Sequence, residues 1–124
     1  MNRCLILLIT ALILALAQVA LAQEDMKVLA PEAFGKLTRP AAVFVHDQHN
    51  EKAALDDCVA CHHGGSDGKQ DKSASTEGTA CADCHEIKMP KGRTDLNHAY
   101  HKQCISCHEA KGKGPVACGQ CHKR

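Results

Sequence analysis

Residues 104–122, CISCHEAKGKGPVACGQCH, contain one five-residue pattern twice. Cys104-x-x-Cys107-His108 opens the stretch and Cys118-x-x-Cys121-His122 closes it. The same pattern stands upstream at Cys58-x-x-Cys61-His62 and at Cys81-x-x-Cys84-His85. Eight of the nine cysteines are used in this way. Two thiols three positions apart lie on one helical turn, where each can add to a vinyl group of one haem. The next residue lies four positions from the first Cys, on the same face, so its imidazole meets the iron.

Other uses of paired cysteines fit less well. Four C-x-x-C knuckles can build two Cys4 zinc sites, but zinc does not require His after each second Cys. At the His content of this chain, chance placement at all four positions has odds on the order of 1 in 40,000. A disulfide inside C-x-x-C would staple only a tiny loop. A thioredoxin-like motif would be single and set in a βαβ pattern, which the sequence lacks.

Composition agrees with a cofactor-built interior. The chain has 124 residues, no Trp, one Tyr and two Phe. Residues 23–124 hold only 16 apolar side chains larger than Ala, Cys aside. A domain of about 100 residues is marginal even with an ordinary core. A conventional globular enzyme is excluded, and bound groups must supply the buried apolar mass.

The N-terminus reads as an export signal. Met1-Asn2-Arg3 precedes an apolar run at 4–17, and Ala20-Leu21-Ala22 forms a small-x-small cleavage site. The run is too short for a comfortable membrane span. Residues 1–22 are therefore expected to be a signal peptide, removed together with Cys4. The mature chain is expected to be exported to an oxidising compartment, with no membrane insertion. Losing Arg3 leaves 14 Lys/Arg against 14 Asp/Glu. No basic stripe appears, so nucleic acid is not an expected partner.

Within the mature chain, residues 23–40 read as an N-terminal arm and 41–124 as one domain. Ala41–Val45 is β-prone. Residues 64–80, GGSDGKQDKSASTEGTA, read as a solvated loop. A helix is predicted over 94–108, capped by Thr94 or Asp95. The fold class expected is mostly irregular and small α with a short β element.

Five histidines remain outside the motifs: His46, His49, His63, His98 and His101. Four irons need four distal ligands, so the supply matches with one to spare. The mature methionines, Met26 and Met89, are too few for that role. Bis-His ligation leaves no open iron position, which favours electron transfer over small-substrate catalysis. His98 and His101 share one face of the predicted helix, and either can reach an iron.

The pattern resembles the class III multihaem cytochromes c, the cytochrome c3 family. Phe44-Val45-His46-Asp47-Gln48-His49, the doubled His62-His63, Tyr100-His101 ahead of Cys104, and the ending from Gly112 to His122 carry the likeness. It covers roughly residues 42–124. The resemblance implies a compact cytochrome c3-like fold around four c-type haems. It implies His46 opposite His62, His49 opposite His108, His63 opposite His85, and His101 opposite His122. Many tetrahaem relatives carry C-x-x-x-x-C-H at the second and fourth sites and are richer in lysine. These two departures point to the less basic, type II-like branch.

The expected role is an electron carrier with low-potential bis-His haems, not an enzyme. The resemblance implies exchange with hydrogenase, other multihaem cytochromes or a membrane redox complex in anaerobic respiration. A terminal reductase of metals or oxyanions, or a conducting multihaem subunit, is the alternative. Eight haem propionates would add about −8 charges. Lys111, Lys113, Lys123 and Arg124 gather positive charge near the fourth motif. They are expected either as a solvated tail or as a docking collar around an exposed haem edge.

Overall fold

A computed structural model describes residues 27–124. The signal-peptide reading and the start of the arm lie outside the described residues. Strand β1, Val28–Leu29, pairs antiparallel with β2, Ala42–Val43, in the register Val28↔Val43 and Leu29↔Ala42. A 3-10 turn at Glu32–Phe34 lies between them. The β-prone run is thus a strand, paired with a piece of the arm.

Helix α1, His46–Ala53, follows directly and ends on Ala54 at φ 49°. The Ala54 amide donates to the carbonyls of Asn50 and Glu51. A left-handed non-glycine residue closing a helix marks an abrupt stop. The described histidines therefore begin on a helix of only eight residues.

One expectation is corrected. Residues 64–80 are not simply a solvated loop: strand β3, His63–Ser66, pairs antiparallel with β4, Lys69–Ser75. Asp67 at φ 52° and Gly68 at φ 76° form the two-residue turn between them. Left-handed values at both central positions define the hairpin turn whose twist matches the strands, and Asp-Gly is its preferred sequence. Every residue of β4 is exposed. The strand is held by its backbone ladder, so no apolar alternation marks it. Its register slips between His63 and Gly64, where Ser73 N–H and Oγ–H both donate to Asp71 Oδ1 at 2.8 and 2.6 Å. These bonds hold the Asp71 carboxyl below its ordinary range.

Helix α2 spans Leu96–Lys111, three residues beyond the predicted end. Asp95 is its cap, with Oδ1 accepting the His98 amide at 3.0 Å. Gly112 at φ 62° terminates it, as a residue without Cβ does at low cost. Helix α3 is the single turn Cys118–Cys121. Among the described residues, Leu96 is the one fully buried hydrophobic side chain. The small α content, short strands and irregular connections match the fold class expected, and the polypeptide by itself has almost no core.

Candidate haem sites

Each Cys-x-x-Cys-His segment forms one helical turn. His62 N–H donates to Cys58 O at 2.8 Å, His85 to Cys81 O at 2.8 Å, and His122 to Cys118 O at 2.9 Å. The third motif lies inside α2. Side chains fix the starts of the free turns. Asp57 Oδ1 accepts from Val59 N at 3.0 Å, and Asp83 Oδ2 from Ala80 N at 3.0 Å. Gln120 Oε1 accepts from the Val116 and Ala117 amides at 2.9 and 2.8 Å.

The turns are tied together through α2. Gln103 donates from its side-chain amide to the carbonyl of Ala60, in the first motif. Leu96 N–H donates to Glu86 O, just past the second, at 2.9 Å. Burial pushes the Cys104 thiol up to about 11, and the nearby thiols of Cys61, Cys121, Cys81 and Cys107 add to it. Burial likewise raises Cys61, helped by Cys107 and Cys81. Thiols of all four motifs therefore lie within electrostatic reach of Cys104.

The imidazoles fall into facing pairs. Ring centres are 6.3 Å apart for His46 and His62, 6.1 Å for His49 and His108, and 6.2 Å each for His63–His85 and His101–His122. Two metal–imidazole bonds of about 2.0–2.1 Å, plus roughly 1.1 Å from each nitrogen to its ring centre, separate the rings by about 6.3 Å. The spacing fits one metal between each pair. Among the described residues, no three His, Cys, Asp or Glu side chains converge as a zinc site requires.

The ring nitrogens fit the same group. Nδ1–H of His85 donates to Thr94 O at 2.8 Å, of His108 to Pro115 O at 2.7 Å, and of His122 to Pro40 O at 2.7 Å. His63 donates to Gly64 O at 2.9 Å and His101 to Asn97 O at 2.8 Å. A carbonyl oxygen only accepts, so the proton is on Nδ1 and the Nε2 lone pair is free to bind a metal. His98 is different: it faces none of these rings and gives Nδ1–H to Asp95 Oδ2 at 2.7 Å. It is two-thirds exposed.

Packing around the pairs uses the few aromatic rings. Phe44 lies 6.0 Å from the His46 ring and 5.1 Å from that of His49. Phe34 lies 6.3 Å from Tyr100. Gly114, at φ 97°, touches the His108 ring so closely that a Cβ would fall 2.4 Å from its Cδ2. The carbonyl partners Pro40, Thr94 and Pro115, and the role of Gly114, are not legible in the motif.

Four Cys-x-x-Cys-His turns and facing imidazole pairs are the arrangement of a multihaem c-type cytochrome. Residues 22–122 match the Class III cytochrome C family, and the chain belongs to it. It is 38% identical over 81 residues to the high-molecular-weight cytochrome c of Nitratidesulfovibrio vulgaris, covering 60% of this chain and 13% of that protein. Against cytochrome c7 of Geobacter metallireducens it is 43% identical over 44 residues, 36% of this chain and 49% of the relative. It is 31% identical over 96 residues to the nine-heme cytochrome c of Desulfovibrio desulfuricans, 76% and 25% of the two chains. The chain thus spans between about an eighth and a half of the relatives it matches. Membership implies covalently bound haem c, which the Cys and His geometry accommodates.

Proposed function

We propose that the protein is a periplasmic tetrahaem electron carrier with two axial histidines on every iron. The pairing of imidazoles at 6.1–6.3 Å carries this reading. Cys58/Cys61, Cys81/Cys84, Cys104/Cys107 and Cys118/Cys121 form the thioethers. His62, His85, His108 and His122 are the proximal ligands. His46, His49, His63 and His101 are the distal ones. Bound haem supplies one-electron redox chemistry. The chain holds each iron from both faces, so reduction requires little rearrangement. Low potentials follow from two basic imidazoles per iron, strengthened where Nδ1–H has an acceptor.

The apolar run at 4–17 followed by Ala20-Leu21-Ala22, read as an export signal, supports the periplasmic location. Among the described residues, no helix is long and apolar enough to cross a membrane. Lys111, Lys113, Lys123 and Arg124, which flank the fourth motif in sequence, are all exposed and free to act as a docking collar. They favour an acidic redox partner: a hydrogenase, another multihaem cytochrome or a membrane redox complex.

The test is intact mass and pyridine haemochrome on the exported protein, with near-infrared magnetic circular dichroism. Four haems per chain, all with bis-His bands, are expected. Fewer than four overturns the assignment. Strong carbon monoxide binding by the reduced protein at native pH would indicate an open iron and favour a terminal reductase.

A further inference from the structure

Helix α1 presents His46 and His49 one turn apart, with opposite surroundings at Nδ1. His46 Nδ1–H donates to the Asp47 carboxylate at 2.8 Å. His49 Nδ1 is buried and has no hydrogen-bond partner. When Nε2 binds a metal, Nδ1 must carry the proton, so on His49 that proton has no acceptor.

An acceptor on Nδ1–H makes an imidazole a stronger donor to the metal and favours the oxidised ion. A carboxylate does this more strongly than a carbonyl, because the hydrogen bond is charge-assisted. His63, His85, His101, His108 and His122 all have carbonyl acceptors. His49 is therefore the weakest donor of the distal set, and its partner His108 has only a neutral acceptor.

We propose that α1 sets a redox step: the unpaired His49 makes the His49–His108 haem the highest-potential of the four, while Asp47 lowers the His46–His62 haem beside it. With haem bound, α1 would thus hold ligands to a lower-potential and a higher-potential site one helical turn apart. Asp47 acts here as a tuning residue through His46, not as a ligand. The inference rests on the ligand pairing proposed above.

The experiment is a site-resolved redox titration of the holoprotein by nuclear magnetic resonance, on wild type, Asp47→Asn and Asp47→Glu. Haem count and near-infrared bands are recorded on the same samples. In wild type the His49–His108 haem is reduced first. D47N raises the His46–His62 potential alone, shifting its reduced-to-oxidised ratio about threefold, or about 28 mV at 59 mV per tenfold. D47E keeps the wild-type value. Four bis-His haems with another site reduced first, or with an unchanged potential in D47N, overturn this inference alone. A sample without four bis-His haems overturns the ligand assignment instead.

Discussion

The Nδ1–H of His122 donates to the carbonyl oxygen of Pro40 at 2.7 Å, joining residues 82 positions apart. The contact locks the His122 imidazole to the segment that connects β1 and β2. It also fixes the tautomer that leaves Nε2 free. Deleting residues 27–40 removes the acceptor but none of the eight cysteines. Four haems should still attach. One potential, that of the His122 site, should rise while the other three hold. Site-resolved redox titration checks this, and a uniform shift of all four would contradict it.

Gly114 permits the loop from Gly112 to Pro115 to press on His108. Its φ of 97° disfavours any side chain, and a Cβ would collide with the imidazole. Gly114→Ala should cost about 1–3 kcal/mol in backbone strain alone. The displaced ring should leave one iron weakly ligated. Carbon monoxide should then bind about one haem in four in the reduced variant, against none in the wild type. An unchanged carbon monoxide spectrum would mean that the loop simply moves away.

These contacts mark the limit of what the sequence conveys. The four Cys-x-x-Cys-His turns were legible because their geometry is local, an amide four positions from its carbonyl. The α2 cap at Asp95 was legible for the same reason. The β3–β4 hairpin was hidden: its Asp67-Gly68 turn lies in GGSDGKQDKSAS, where no apolar residue larger than Ala alternates with polar ones. A strand that buries no side chain leaves no periodic trace. Pro40, Thr94 and Pro115 serve through backbone carbonyls, which every residue has, so side-chain identity says nothing about them. The distal pairing came from family resemblance, since counting alone offered five histidines for four positions.

The fifth histidine gives a direct comparison. His101 faces His122 at 6.2 Å, whereas the exposed His98 is held by Asp95 on the first turn of α2. Under the proposed assignment, His98→Ala should leave all four low-spin signals in place. His101→Ala should open one iron, giving one high-spin signal in electron paramagnetic resonance and one carbon monoxide equivalent. The reverse outcome would move the ligand one turn back along the helix.

Asp95 also gives α2 a predictable response to acid. Its carboxylate accepts the His98 amide at 3.0 Å and the His98 ring N–H at 2.7 Å. These bonds, the amide first, hold its pKa below the ordinary 3.8. A depressed carboxyl contributes stability above its unfolded value and loses it as pH falls through the folded one. The cap is therefore fully effective at neutral pH and fades only below about pH 3.8. Asp95→Ala should lower the melting temperature at neutral pH by removing the acceptor for an exposed helix-start amide. The difference from wild type should shrink steadily as the pH drops below that value, because the protonated wild-type cap no longer carries the charge that strengthens both bonds. Thermal melts followed by far-ultraviolet circular dichroism at a series of pH values measure this. A gap that stays constant into strong acid would mean that the carboxylate charge adds nothing to the cap.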